Sequence, residues 1–553
     1  MYSSEPLPHF VDDYLAYLYE VQPTTATFDG VHTHDDLLED LSRSGIDTHL
    51  RDLGGFGRRL DAINPDTLSP TEKLERPILE SHNRGRIFEL EQIRTWERSP
   101  IIYAETLALS LAGQALFGYA SAEERARRVL SKLRQAPRLL QSARANVKEP
   151  AGIFVKTAVE TLKGVQTFIE RDLPRAFGEV DDLGLLGDLA DASSEATAAV
   201  GDYKRYLEEE VAPKARGSFR LGRERFETKL RLDEGFDLSA ERLLAIGLRE
   251  LAATQDEFRK VAAKVDKGDP VEVWRRVKQD HPAPGTLVAT ARAQVEELSK
   301  FIVRHRLVTM PDCDPLVVGP TPQFYRWTFA SMWMPGAFES RPLRSYYYLT
   351  DVDPTWSPER QEEHLRDFCT SVLWSISIHE AYPGHFLHFQ RLRKQESKLR
   401  KSIVFAPMSL VEGWAHYAEQ MMVEQGFARR DPARRLGQLA EALIRLVRLI
   451  VGVRLHTEDL SVEQGVRFFR DEAFLEETSA RREAERGTFD PAYVVYSLGR
   501  LALLKLRGDL EGRQGDGFSL KDFHDRVVGS GFVPFRMLRR QLLPPDDGGA
   551  LLE

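Results

Sequence analysis

The stretch "SAERLLAIGLRELAATQDEFRKVAAKV", Ser239 to Val265, reads as one long helix. Its apolar residues recur three and four positions apart, and it opens on Ser with Glu close behind, the chemistry of an N-terminal cap. The same spacing runs through "TEKLERPILESHNRGRIFELEQIRTW" (Thr71 to Trp96) and "SAEERARRVLSKLRQAPRLLQSARANV" (Ser121 to Val147). Strand signals are few: "GSFRLGRERFETKLRL" (Gly217 to Leu232), "LVVGP" (Leu316 to Pro320) and "RSYYYLT" (Arg344 to Thr350). The pattern predicts a mainly α protein with a small β element. Two passages could separate lobes: a turn-rich one at Pro213 to Gly217, and one rich in Pro, Gly and aromatics at Val308 to Pro342. The expected division is an N-terminal helical region, 1–215, and a functional region, 216–553, forming one continuous unit.

The 553 residues are enough for a large core, and 42% hydrophobic with 29% charged residues is the balance of a globular protein. A net charge of −9 gives no support to a nucleic-acid surface. Two cysteines, Cys313 and Cys369, make neither a disulfide framework nor a Cys-rich zinc module. No basic segment followed by an apolar run opens the chain, and no apolar stretch reaches the ~18 residues a membrane span needs. Even "LIRLVRLIVGVRL" (Leu443 to Leu455) is interrupted by arginines. A cytoplasmic protein without a membrane partner is the expectation.

Chemistry concentrates in "SISIHEAYPGHFLHFQ", Ser375 to Gln390. His379-Glu380 resembles the opening of the H-E-x-x-H zinc signature, whose histidines lie four apart on one helix face. Here the second histidine, His385, comes six residues on, which at about 100° per residue would point it about 120° away on a straight helix. Pro383 and Gly384 lie between: the proline ring clashes with the carbonyl four residues back, and the glycine tolerates backbone angles closed to other residues. The "YPG" segment is therefore read as a bulge that returns His385 toward His379. A third ligand is sought in "SLVEGWAHYAEQMMVE" (Ser409 to Glu424), where Glu412, His416 and Glu419 share one helix face. Glu412 is the expected third ligand, His416 or Glu419 orients a ligand from behind, and Glu380 is the general base.

These residues resemble the bacterial domain-of-unknown-function family 885, whose members look like zinc metallopeptidases. "HEAYPGH" (His379 to His385) and "EGWAHYAE" (Glu412 to Glu419) carry the resemblance. Supporting stretches are "QPTTATFDGVH" (Gln22 to His32), "LGRERFETKLRL", "RSYYYLT" and "VYSLGRLALLKLR" (Val495 to Arg507). The resemblance implies a large helical metallopeptidase-like fold with a deep central cleft, one zinc ion on His379, His385 and Glu412, and Glu380 as base. It also implies Tyr496 as oxyanion donor, and it brings His456 and Arg486 near the site. Other divalent metals suit the same donors. Tyr346 and Tyr348, on one face of an edge strand, would line the cleft and hold an extended peptide, with Tyr347 on the other face. Two stretches depart from the family pattern: "LIVGVRLH" before His456, and "PAYV" (Pro491 to Val494) where Pro-Gly-Gln-Ala is usual. The expected activity is hydrolysis of short peptides by a chain that forms a homodimer. The alternatives are a metal-dependent hydrolase of a non-peptide amide or ester, and a non-catalytic binding or scaffold protein that keeps the fold.

Overall fold

The computed structural model describes residues 5–552 apart from 313–314, 323–325, 327, 428 and 545–548. Cys313 lies outside the described residues. The expected helices form with the expected caps. In α1 (Ala122–Asn146) Ser121 Oγ accepts the backbone N–H of Glu124, and Ser239 does the same for Arg242 in α2 (Ala240–Val265). "RERFETKLRLDE" is helical over Arg223–Glu234, not a strand: Phe226, Leu230 and Glu234, four apart, turn inward together, and helix-favouring Arg, Lys and Glu fill the rest.

Among the described residues the helices build two large apolar cores, with three smaller clusters beside them. One draws only on the segment from Leu38 to Leu207, chiefly the helices between Ile101 and Leu207. The other joins helices from Leu7 to Trp96 with those from Leu221 to Leu552, so most of the first hundred residues pack with the C-terminal half. Leu41 and Phe219 touch both cores.

At the centre of the larger core α2 lies along the helix Pro432–Thr457, which is buried on most sides. A three-stranded sheet of order β1-β3-β2 comprises β1 (Leu316–Pro320), β2 (Ala330–Trp333) and β3 (Ser345–Leu349). β3 runs parallel to β1 and antiparallel to β2, with Tyr347 opposite Val318 and Met332. It is thus the middle strand and not an edge, and its backbone bonds are committed on both sides. Tyr347 is fully buried against α4 (Thr370–Glu380): its hydroxyl meets Ser377 Oγ at 3.2 Å, and Ser377 donates to Gln294 on α3 (Leu287–His305). Tyr346 and Tyr348 stack on each other at 5.2 Å on the opposite face.

After α4 come α5 (His385–Leu392), α6 (Met408–Glu424), α7 (Pro432–Thr457), α8 (Glu477–Phe489) and α9 (Val495–Gln514). Helices α6 and α9 cross at paired glycines. A Cβ added at Gly499 would lie 1.8 Å from the Ser409 carbonyl oxygen, and one at Gly413 would lie 2.5 Å from Gly499 Cα. That crossing sets Glu412, on α6, beside the first turn of α9.

Candidate metal centre

Helix α4 ends at Glu380, the chain turns through a cis Tyr382–Pro383 bond, and α5 begins at His385. The break is complete, with two helices in place of a bulge inside one. Gly384 N–H donates to the Ile378 carbonyl at 3.0 Å, and Trp414 Nε1 donates to the Pro383 carbonyl at 2.8 Å, which pins the turn to α6. Glycine is needed here for room: φ at Gly384 is −70°, but a Cβ would lie 1.8 Å from the His379 carbonyl oxygen. The turn brings the His379 and His385 rings to 4.7 Å, nearly perpendicular.

Glu412 completes the group. Its Oε2 lies 3.2 Å from His379 Nε2 and 3.5 Å from His385 Nε2, and one ligand atom from each residue falls within 4.8 Å of the others. A tetrahedral ion with bonds of about 2.0–2.1 Å sets its donors about 3.3 Å apart, so the spacing suits zinc. Glu412 Oε2 and His385 Nδ1 are buried without a hydrogen-bond partner among the described residues, and such atoms fit a ligand set and its outer contacts. Burial favours a neutral Glu412, but His385 and His379 outweigh it and hold the carboxyl well below the usual range. Burial likewise pulls His379 down, yet Glu412 and Glu419 carry it up to about 9, so without metal a positive imidazolium stands between two carboxylates. His379, His385 and Glu412 form a group that could hold a metal ion.

Behind the ligands, Glu419 Oε1 accepts from His379 Nδ1 at 2.8 Å, the contact that fixes which ring nitrogen is free. His416 Nδ1 lies 3.5 Å from Glu419 Oε1, and burial lowers its pKa to about 3, leaving it neutral. Glu380 follows His379, and burial pushes its carboxyl above the usual range against the pull of His385 and His379. Tyr496 stands in the first turn of α9, its ring between Arg448 at 5.0 Å and Arg486 at 5.9 Å. Its hydroxyl is raised by burial and by the nearby charge of Glu412, and the two arginines oppose this. Arg486 is held by Asp490, and its Nη2 lies 3.4 Å from the Tyr496 hydroxyl.

His456 is placed elsewhere. It packs between Phe219 and Phe226, and its Nε2 bonds the Gly487 carbonyl at 2.8 Å, with no contact to the metal group. Tyr346 and Tyr348 join Trp333, Ala112 and Phe117, on the sheet face turned from α4. Three participants escaped sequence reasoning: Trp414, Arg445 and Arg448. The signal for the arginines was present, since an apolar helix such as "LIRLVRLIVGVRL" can bury Arg445 and Arg448 only beside carboxylates. Arg448 forks onto Glu483 at 2.6 and 2.8 Å. A second grouping of ligand types, Glu5, His9 and Asp13, is no match for the first: His9 is exposed, and Arg59 already bridges the two carboxylates.

The family described as bacterial proteins of unknown function, DUF885, matches residues 23–542. The chain belongs to this family. Its fold is that of two solved relatives. A candidate lipoprotein of unknown function from Shewanella oneidensis is 22% identical, with a TM-score of 0.80 over 98% of this chain and 100% of that one. A candidate lipoprotein from Colwellia psychrerythraea is 19% identical, with a TM-score of 0.82 over 97% of this chain and 98% of that one. No curated protein matches the DUF885 chain. The lipoprotein descriptions overturn the cytoplasmic expectation, because sparing cysteine use is compatible with other compartments too. No helix among the described residues is long and apolar enough to cross a membrane.

Proposed function

We propose that this DUF885 chain is a metal-dependent peptidase that hydrolyses short peptides at the His379–His385–Glu412 group. The reading is carried by one observation: a carboxylate oxygen of Glu412 lies 3.2 and 3.5 Å from imidazole nitrogens of His379 and His385, and Glu380 adjoins His379 in the chain. Zinc, when bound, supplies a Lewis acid that polarises a carbonyl and acidifies water. Glu380 takes a proton from the attacking water and passes it to the leaving amine nitrogen, and its raised proton affinity suits both transfers. The Tyr496 hydroxyl donates a hydrogen bond to the oxygen on which charge develops, with Arg486 and Arg448 offsetting the field of Glu412. Because β3 is paired on both sides, an extended peptide would find its backbone partner on the outer edge of β1 or β2. The lipoprotein descriptions of both relatives support work at a membrane face, and recovery of the protein only in the soluble cytoplasmic fraction would overturn that placement.

Metal content tests the central reading: mass spectrometry on protein purified without chelator or added metal, wild type beside His385→Ala. The expected result is about one zinc per chain, lost in the variant, together with cleavage in a peptide library. A wild type that takes up no metal even when zinc is supplied overturns it. Turnover confined to non-peptide amides or esters overturns the substrate class and keeps the metal.

A further inference from the structure

We infer that Arg445 is a positioning residue for the metal centre: acting through Glu419, it fixes the ring of His379 and so sets the affinity for zinc. The inference rests on the metal reading above and concerns a residue that supplies no ligand atom. Arg445 lies in the middle of α7, 7% exposed, with apolar neighbours in the chain. Its Nη2 is 3.2 Å from Glu419 Oε1, the same oxygen that accepts from His379 Nδ1 at 2.8 Å. Its Nη1 is anchored one turn back on its own helix, donating to Glu441 Oε2 at 2.6 Å and to the Glu441 carbonyl at 3.0 Å. Four side chains thus run in series, Glu441–Arg445–Glu419–His379, from α7 through α6 to the ligand on α4.

The chemistry gives each link a task. A metal-binding imidazole must present one bare nitrogen, and the acceptor on its other nitrogen sets both tautomer and ring plane. Glu419 is that acceptor, fully buried, and a second imidazole stands within reach of the same oxygen: His416 Nδ1 is 3.5 Å away. Arg445 decides the competition by holding the same Glu419 oxygen at 3.2 Å. Without the guanidinium the carboxylate loses its counter-charge and is free to swing toward His416, which unlatches His379. A lysine keeps the charge, but its single nitrogen cannot reproduce a fork that spans Glu441 and Glu419 together.

The test is zinc affinity of the full chain, measured by competition with a chromophoric chelator, and the visible spectrum after loading with Co(II). Arg445→Met is expected to weaken zinc about 10- to 100-fold and alter the Co(II) bands, with Arg445→Lys between it and wild type. In a Glu419→Gln background, Arg445→Met should add no further loss, since its route to the metal is already cut. Arg539→Met, another buried arginine, serves as control and should leave zinc affinity unchanged. Equal zinc affinity in wild type and Arg445→Met overturns the inference and leaves the metal reading standing. So does an Arg445→Met loss that persists at full size in the Glu419→Gln background. If Arg445→Met does not fold, Glu441→Gln frees only the far end of the series and should still weaken zinc several-fold; unchanged affinity there overturns the inference. A wild type that binds no zinc removes the metal reading itself, and this inference with it.

Discussion

His379 is the residue on which the centre turns, because each of its ring nitrogens faces a carboxylate, Glu412 on one side and Glu419 on the other. A cation is required between them, either a proton or a metal. Its neighbour Glu380 has a separable task. Glu380→Gln should keep the metal and lower peptide turnover by about 10²- to 10⁴-fold, the range of a lost acid–base group, as read by metal analysis beside a hydrolysis assay. Undiminished turnover would remove Glu380 from the mechanism. Tyr496→Phe deletes one donor and leaves the ring between its arginines. A fall of about 10²- to 10³-fold in kcat with little change in KM is expected, and a change confined to KM would make Tyr496 a binding residue only.

At the scale of elements, the centre depends on two places where chains approach too closely for any side chain. One is the break between α4 and α5. Gly384→Ala would drive its Cβ into the His379 carbonyl and spread the two histidines, so zinc affinity should drop at least about tenfold while most helicity by circular dichroism is retained. The other is the α6–α9 crossing, which sets Tyr496 beside Glu412. Gly499→Ala should cost about 1–3 kcal/mol or more of stability by overpacking, read as a lowered Tm, and an unchanged Tm would show that the crossing can relax. Pro383 and Gly384 marked the place of the interruption in the sequence, where it reads as a bulge; the structure makes it a complete break. The three tyrosines of β3 were legible only in part: alternation separated Tyr347 from its neighbours, but that β3 is the central strand depends on its pairing between β1 and β2, an order that the pattern within one strand does not encode.

Across the whole molecule, buried histidines outside the metal group link stability to pH, His456 and His524 among them. His456 bonds the Gly487 carbonyl, and His524 lies between the Tyr417 hydroxyl at 2.8 Å and the Leu307 carbonyl at 2.7 Å. Burial pulls both down to about 4, so the folded state holds them neutral where the unfolded chain, near 6.5, takes up protons. Their contribution is complete above about 6.5 and is lost as pH falls toward 4, at up to about 3 kcal/mol for each ring. Chemical denaturation across pH 7 to 4 should show this loss. His456→Gln should flatten it in part, and an unchanged slope would mean that His456 is protonated in the fold.

The sequence by itself determined the helices, because amphipathic spacing and serine caps act within a few residues, and it singled out by residue type His379, His385 and Glu412, whose ligand atoms the fold brings within 4.8 Å of one another. Tertiary structure alone decided the partners. The Arg223–Glu234 segment fits a strand or a helix until its buried face is known, and the first hundred residues join the C-terminal half through contacts that no local pattern encodes. His456 and Arg445 lie on one helix, α7, yet one packs between phenylalanines and the other reaches His379 through Glu419. The direction a side chain faces follows from the neighbours that other parts of the chain bring to it.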